Sequence, residues 1–512
     1  MPPAKEALRL GDLYRGLREQ FSGAGVPEPD VSARHIAAEA SGCDVAEIAL
    51  APKTPMTVRM VSHADAMAAR RVAGEPLQYV LGRWGFRELD LAVDNRALIP
   101  RPETEVVAGV AIDWLFQTVR RRRQSEVVVA DLGTGCGAIA LSIAHEVPQA
   151  HVLATDSSAE ALALAAANLA GLGSAASRVS LCQGDWFEAL LGFFDPQGII
   201  CAAELRGQLD LIVSNPPYVA DAEALPPEID NWEPHEALYA GTDGLSALRT
   251  IVRDARGWLA PGGLLALEIG SDQGAAVSEI ASARGYQDVS VEPDLAGLDR
   301  VLVAIRPQNE PDSLVIEQAT RLLREGHFVV APTDTLCGIM ARYADTEAVA
   351  RVCKTKDRPR TEPMPILVSG LAQAEELVEF SAQARTLAER HWPGGLTLVA
   401  RRRGGPDPLH GRETLGVRAP AAGWLRWLID EVGPVTGTSA NRHGFETPAD
   451  ANEAAASLVT PPRLACVIGG RAAGGAASTV VDVTGDQPVV LRDGAVGVGS
   501  LELPEISAES GT

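Results

Sequence analysis

The sequence predicts an α/β protein in three parts: a small N-terminal helical domain, a mostly parallel sheet wrapped by helices, and a second α/β domain with more and shorter strands. Three observations carry this expectation. Residues 1 to about 85 place apolar side chains at three- and four-residue spacing, which is helical. From about 86 to 306, short β-branched runs alternate with longer helical ones, the pattern of strands joined by crossover helices. The polar, proline-containing stretch RPQNEPDS, 306 to 313, then separates two regions that each begin their own strand-helix series. A chain of 512 residues agrees with this division, since roughly 150 residues per domain makes about three.

In order, ALRLGDLYRGLREQF, VSARHIAAEASG and SHADAMAARRVAGE read as helices closed by Gly or Pro and give a domain over 1–85. The second domain, 86–306, follows as EVVVADLG, ALSIAHEV, HVLATD, AEALALAAANLA, VSLCQGD, LDLIVSN, LSALRTIVRDARGWL and GGLLALEIG. Its densest basic cluster, Arg120 to Arg123, ends a helix, where cations suit the dipole. The third domain, 313–500, begins with the helix IEQATRLLREG. It continues through HFVVAPTDT, MPILVSG, LAQAEELVEFSAQARTLAERHW, GGLTLVARRR, TLGVRAP, GPVTGTSAN, ACVIGG, STVVDVTG and QPVVLRDGAV. The ending SLELPEISAESGT reads as a loose tail.

Composition narrows the function. An apolar fraction of 46% with 22% charged residues is globular. No apolar run approaches the ~20 residues that span a bilayer, and MPPAKEALRLGDLYRGL lacks the order of a signal peptide, so a cytoplasmic protein without membrane partners is expected. Seven cysteines without CxxC spacing and nine dispersed histidines fit neither a disulfide framework nor a protein-built metal site. A net charge of −22 argues against sequence-independent grip on a phosphate backbone, which needs many Lys and Arg contacts.

The first chemistry lies in VVVADLGTGCGAIALSIA, a strand, a glycine-rich turn and a helix. Gly133, Gly135 and Gly137 remove side chains where the backbone turns and approaches a nucleotide-like ligand, with Thr134 and Cys136 between them. GTGCGA also satisfies a dinucleotide pattern, and Asp156 lies 19 residues beyond Gly137, where a ribose-binding acid belongs, so NAD remains an alternative at this point. Asp131, which makes the motif DxGxG, and the Asp185–Trp186 pair after the third strand favour S-adenosylmethionine. The strand LDLIVS then stops at Asn215, Pro216, Pro217 and Tyr218. Methylating a planar amide or aniline nitrogen requires steering a delocalised lone pair. The Asn215 side-chain oxygen and the Pro216 carbonyl can hold the two N–H bonds, prolines stiffen the loop, and the Tyr218 ring offers a face to a planar amide.

GEPLQYVLGRWGF, ALIPRPETE, DLGTGCGAIALSIA, SNPPY and EPHEAL, in that order over residues 1 to about 305, resemble the release factor glutamine methyltransferases of the PrmC/HemK family. The resemblance implies a helical substrate-binding domain and a class I methyltransferase Rossmann-like domain. It further implies that Gly133 to Gly137, Asp156 and Trp186 contact the cofactor, and that Asn215 to Tyr218 hold the glutamine of a Gly-Gly-Gln motif in peptide chain release factors. Arg101 and Glu103 are possible wall residues, although Pro102 and the acids after it also suit a helix N-terminus. NPPY also resembles DNA adenine amino-methyltransferases, against which stand the acidic balance and the lack of a basic target-recognition region.

The second chemistry begins at KTKDRP, where Lys356 and Arg358 are spaced to flank a triphosphate. Thr438, Ser439 and Asn441 in VTGTSAN, Thr414 and Arg418 in TLGVRAP, Ser478 in STVVD and Arg492 in VVLRDG put polar groups at other strand ends. With APTDT, HWPGGLTLV, VRAP, TSAN and STVVD in order, the region resembles the YrdC-type threonylcarbamoyl-AMP synthases, a YrdC-like open α/β fold. That resemblance implies condensation of L-threonine, bicarbonate and ATP, with Mg²⁺ carried by the nucleotide, Lys356 and Arg358 balancing phosphate charge and Thr335 beside the threonine. The product would feed the tRNA threonylcarbamoyl transferase machinery. Cys337 and His443 depart from the family pattern, and Ser369 falls where some members carry a histidine. The expectation is a bifunctional translation-related enzyme. Its alternative is a methyltransferase carrying a non-catalytic RNA- or nucleotide-binding module.

Overall fold

The computed structural model describes residues 8–122, 126–191, 205–308, 310–311, 313–359, 362–405, 408, 413–442, 444–458, 466–472, 476–485 and 487–501. His443, part of the 306–313 stretch and the tail from 502 therefore lie outside the described residues. The chain divides into two compact units, 1–279 with 288–305 and 280–287 with 306–512, so the expected helical and sheet domains belong to one unit rather than two.

In the first unit, helices α1 (Leu10–Ala24), α2 (Pro29–Ser41), α3 (Val58–Val72) and the single turn α4 (Leu77–Leu81) bury Leu10, Leu13, Leu17, Phe21, Ile36 and Met67 among themselves. Helices α1 and α2 end at Gly25 and Gly42, whose left-handed backbone (φ +71° and +73°) costs little without a Cβ. This layer is tied to the rest by the Tyr79 hydroxyl, which donates to the Ala97 carbonyl at 2.7 Å, and by the buried Arg71 paired with Glu228 at 2.6 Å.

A hairpin, β1 (Arg83–Phe86) and β2 (Leu89–Ala92), which the sequence had not separated from the helical part, leads into α5 (Pro102–Arg122). Helix α5 opens on Pro102, Glu103 and Glu105 and closes on Arg120–Arg122, the charge order its dipole favours. Arg122 also pairs with the buried Asp210 at 2.8 Å, so this end of the basic run is anchored as well as solvated.

Next come β3 (Val127–Leu132), α6 (Ala138–Glu146), β4 (Ala150–Asp156), α7 (Ala159–Ala170), β5 (Val179–Gln183), α8 (Glu188–Leu191) and β6 (Leu209–Ser214). They are followed by α9 (Pro227–Asp230), α10 (Ser246–Trp258), β7 (Leu259–Glu268), α11 (Gly274–Ala283), β8 (Gln287–Pro293) and β9 (Asp299–Ile305). The sheet order is β5-β4-β3-β6-β7-β9-β8, parallel from β5 through β7, with β9 antiparallel to β7. All six residues of β6 are buried, as a strand covered on both faces requires. Strand β3 is the first of the sheet, and the chain turns to opposite sides at it, making its carboxyl end the place where a crevice opens.

The second unit opens with α12 (Ser313–Arg324), β10 (Phe328–Ala331), β11 (Gly338–Ala341), α13 (Thr346–Thr355) and β12 (Ile366–Leu367). It continues with α14 (Leu371–Leu377), β13 (Val378–Glu379), α15 (Ala382–His391), β14 (Leu396–Arg402), β15 (Thr414–Arg418), α16 (Gly423–Val432), β16 (Val435–Thr436) and β17 (Thr438–Ser439). The last elements are α17 (Ala451–Ala456), β18 (Cys466–Val467), β19 (Thr479–Asp482) and β20 (Val489–Arg492). Two mixed sheets form, β17-β11-β10-β18 and β16-β12-β15-β14-β19-β20, with β13 on β14. LAQAEELVEFSAQARTLAERHW is thus two helices, because Val378 and Glu379 pair with Arg402 and Arg401. Gly437 carries the chain from one sheet to the other, and a Cβ there would fall 2.7 Å from the Leu367 side chain.

Among the described residues no helix is long and apolar enough to cross a membrane. Leu211, wholly buried on β6 between Val129 and Leu264, tests the packing of the first unit. Leu211→Ala should lower the unfolding free energy of that unit by about 2–5 kcal/mol, read as an earlier midpoint in its denaturant transition.

Candidate active sites

The first site forms where β3, β4, β5 and β6 end. After β3, Gly133, Gly135 and Gly137 take φ of +70°, +57° and +91°, a left-handed path open to glycine. The loop is fastened by Thr134 N–H to the Thr155 carbonyl at 2.8 Å and by Gly135 N–H to Asp156 Oδ2 at 2.9 Å. Asp156 Oδ1 accepts from Ser158 N–H at 2.9 Å. Burial, and then the charge of Glu236, hold the Asp156 carboxyl above its usual range.

Gly133, Thr134, Gly135, Cys136, Asp156, Asp185, Trp186, Asn215 and Pro217 line one cavity. The geometry suits an adenosine group. A Cβ on Gly133 would come within 3.6 Å of the Trp186 ring, so any side chain there would enter the gap between loop and indole. The Asp156 carboxylate, with one N–H on each oxygen, keeps lone pairs for ribose hydroxyls. Burial pushes the Cys136 thiol up to about 12, so it sits in the wall as a neutral group.

Four expected residues sit elsewhere than on this wall. Asp131 is wholly buried behind the loop, where Oδ2 accepts from Thr134 Oγ1 at 2.7 Å and Ala140 N–H at 3.1 Å. Its place is structural support for the turn, and burial pushes its carboxyl up to about 7. Gly137 caps α6 and packs on Leu141 and Ala165, a close approach between helices rather than to a ligand. Pro216 is buried within the loop. Tyr218 turns inward, its hydroxyl donating to Glu268 Oε1 at 3.1 Å.

That inward turn belongs to a network the sequence did not reveal. Asn215 Nδ2 donates to Thr104 Oγ1 at 3.1 Å, and Thr104 Oγ1 donates to Glu268 Oε2 at 2.7 Å. Glu268, the last residue of β7, is fully buried, and desolvation pushes its carboxyl up to about 7. The backbone after Asn215 is clamped as well. Gln273 Nε2 donates to the Tyr218 carbonyl at 3.0 Å, and Val219 N–H donates to the Leu238 carbonyl at 2.9 Å. A Cβ on Gly244 would collide with the Tyr218 carbonyl oxygen.

The rest of the wall includes Arg96–Pro100, Thr104, Ile139, Ser158, Pro234, Glu236 and Ala237. Arg101 pairs with the buried Glu233, whose Oε2 also accepts from Ile99 N–H at 3.2 Å. Arg101 therefore acts by joining ALIPRPETE to EPHEAL, and neither it nor Glu103 lines the cavity. Both segments had stood out in the sequence as motifs. Thr104 lies inside one of them, and Glu268 lies within GGLLALEIG, which by itself marks only a strand.

The second site lies within the other unit. Thr335, Cys337, Arg358, Thr414, Arg418, Thr438, Ser439, Ser478 and Arg492 line a single cavity, joined by Thr333 and Thr397, which no sequence motif singles out as ligand contacts. Arg418 donates to Thr335 Oγ1 at 2.7 Å and to the Gly394 carbonyl at 2.9 Å, and pairs with Asp334 at 2.6 Å. Arg492 donates to the Ser478 carbonyl at 2.8 Å and its hydroxyl at 3.1 Å, and Ser478 meets Thr397 Oγ1 at 2.9 Å. Burial, and after it the neighbouring Arg418, lower the Arg492 pKa. Three guanidinium groups facing one cavity in an acidic chain suit a polyanionic ligand.

Lys356 and Asn441 correct the sequence expectation. Only Arg358 of the KxR pair reaches the cavity wall. Lys356 is buried, with Nζ donating to the Ser439 carbonyl and, at 2.9 Å each, to the Asn441 carbonyl and Oδ1. All three of its protons are spent on the loop, and burial with the nearby Arg358 lowers its pKa to about 8. Asn441 also accepts from Ser439 Oγ at 2.6 Å, so it faces the lysine and its own loop. Ser369 lies off the cavity wall, where its N–H donates to Gln373 Oε1 at 3.0 Å.

Comparison with known proteins agrees with this division. Residues 12–82 match the family model PrmC N-terminal domain, 110–226 match Methyltransferase small domain, and 321–494 match the Sua5/YciO/YrdC model described as Telomere recombination. The release factor glutamine methyltransferase of Cereibacter sphaeroides is 41% identical over 305 residues, 59% of this chain and 99% of that protein. The one from Moorella thermoacetica is 46% identical over 240 residues, 46% of this chain and 77% of that protein. A solved P. abyssi Sua5 complexed with L-threonine is 34% identical, with a TM-score of 0.35, over 36% of this chain and 56% of that one, so the chain spans little more than half of that structure. A methyltransferase domain of this kind implies S-adenosylmethionine.

Because burial raises Asp131 from 3.8 and Glu268 from 4.5 to about 7, the native state binds more protons than the unfolded chain between those values. Their contribution to stability is complete below about pH 4 and is lost as pH rises through 7. Asp131→Asn should flatten this dependence between pH 5 and 8, by a difference on the order of 1–4 kcal/mol, read from chemical unfolding of both proteins at each pH.

Proposed function

The chain belongs to the release factor glutamine methyltransferases, and we propose from this that its first unit methylates the side-chain amide nitrogen of the glutamine in a release-factor Gly-Gly-Gln motif. We propose further that its second unit condenses L-threonine, bicarbonate and ATP to threonylcarbamoyl-AMP, the donor for modification of a tRNA adenosine. The observation that carries the first reading is the meeting of Asn215 and the Gly133–Gly135 loop on one cavity wall.

S-adenosylmethionine supplies a methyl group bound to a sulfonium, electrophilic and ready for an in-line attack. The protein's part is to bind, orient and exclude water. Gly133 to Cys136, Asp156, Asp185 and Trp186 form the cofactor wall. With Asn215 Nδ2 committed to Thr104, the polar atom Asn215 keeps for the cavity is Oδ1, an acceptor for one N–H of the incoming amide. A backbone carbonyl of the Asn215–Pro217 turn takes the other, so the nitrogen lone pair is aimed toward the methyl carbon. The helices at the N-terminus form the surface for the release factor. The inward Tyr218 fixes the loop through its hydroxyl on Glu268.

In the second unit, Arg358, Arg418 and Arg492 balance phosphate charge as pyrophosphate leaves, with Mg²⁺ carried by the nucleotide. Thr335, held by Arg418, and Thr333 sit where the amino acid's polar groups belong. Lys356 builds this site by holding the Thr438–Asn441 loop.

Two substitutions separate the halves. Asn215→Ala should lower the rate of methyl transfer to a release factor by roughly 100-fold or more while leaving threonine-dependent pyrophosphate release unchanged. Arg358→Ala should do the reverse. A wild type that releases no pyrophosphate with threonine, bicarbonate and ATP would reduce the second unit to a binding module.

A further inference from the structure

Resting on the methyl-transfer reading above, we propose that Thr104 and Glu268 form a positioning relay that sets which way the Asn215 amide faces. The direction of each hydrogen bond is dictated by chemistry. Asn215 Nδ2 has only protons to give, so Thr104 Oγ1 must accept there, at 3.1 Å. The threonine hydroxyl has a single proton, which goes to Glu268 Oε2 at 2.7 Å. Tyr218 sends its own proton to Oε1 at 3.1 Å. Each carboxyl oxygen of Glu268 accepts one hydroxyl proton, so both arms of the relay run toward it in one sense.

If Thr104 turned its proton toward Asn215 instead, the amide would have to present Oδ1 to the threonine. Its NH₂ would then face the cavity, and two NH₂ groups cannot hydrogen-bond to each other's protons. The substrate amide would lose an acceptor and gain a repelling donor. The wholly buried Glu268, which touches no ligand wall, thus acts through Thr104 on the group that meets the substrate. Three separate elements supply the relay: the first turn of α5, the end of β7 and the loop after β6.

Thr104→Val, Thr104→Ser and Glu268→Gln test this on the full chain. Valine keeps the shape but offers neither acceptor nor donor. It should lower kcat for release-factor methylation by about 10- to 100-fold, leaving the Kd for S-adenosylmethionine and the thermal midpoint near those of the wild type. Serine should restore kcat to within about threefold, since it keeps the hydroxyl. Glutamine can satisfy Thr104 in either sense, so its effect should be smaller, and adding it to Thr104→Val should cost no further rate. Valine with wild-type kcat, or serine as impaired as valine, overturns the proposal. So does a fall in kcat matched by lost cofactor affinity. A direct readout is the ¹⁵N side-chain amide resonance of Asn215, identified by its disappearance in Asn215→Ala. It should shift in Thr104→Val, and an unmoved resonance overturns the relay. This measurement also keeps the two ideas apart: a wild type that methylates no release factor removes the functional reading, while the resonance still decides the relay.

Discussion

Strand β6 stops at Asn215 because the two residues that follow have no backbone N–H to give, and the rest of the first site is arranged around that enforced stop. Pro216 and Pro217 cannot extend the ladder between β3 and β7, so the chain leaves the sheet at its carboxyl edge. At that edge β3 and β4 also end, and the glycine loop is fastened there to Thr155 and to the carboxylate of Asp156. Ligand recognition is then a matter of which side chains fill the same edge. Gln273, Leu238 and the close fit at Gly244 hold the departing backbone so that its carbonyls point one way.

Such rigidity is built with buried polar groups, each of which opposes folding unless it is satisfied. Asp131 and Glu268 are both wholly buried carboxyls beneath functional loops, the first under the glycine turn and the second under the NPPY turn. Each is held by hydroxyl or backbone donors, and each resists ionisation. The two turns of the site thus share one design: a carboxyl in the interior accepts from the loop and dictates which groups the loop can offer outward. The cost in stability appears as a pH dependence, whereas the gain is an orientation set before the substrate arrives.

The second unit solves an opposite problem. Its cavity gathers Arg358, Arg418 and Arg492, and like charges at that proximity are tolerated because carbonyls and the carboxylate of Asp334 take up part of their donors. Lys356, which could have been a fourth cation on the wall, is drawn behind it by three oxygens of the Ser439–Asn441 loop. The wall therefore presents planar forks rather than an ammonium.

Periodicity, strand-helix alternation and motif order were enough to identify the α/β class, the glycine loop, the NPPY stop and the KxR and SxN pairs. Those features are local: a positive φ needs glycine, a strand end needs proline, and a helix end favours arginine wherever the fold places it. What lay beyond the sequence was direction. Nothing in KTKDRP says that Lys356 points inward while Arg358 points out, or that Tyr218 reaches Glu268, because both depend on residues 50 to 85 positions away. The hairpin over 83–92 and the break within 371–391 escaped for the same reason, since a two- or four-residue strand is defined by its partner and not by its own pattern. Sequence determined which groups were available to each site, and tertiary packing decided which of their atoms face the ligand, because a side chain turns toward whatever partner the fold brings within hydrogen-bonding reach.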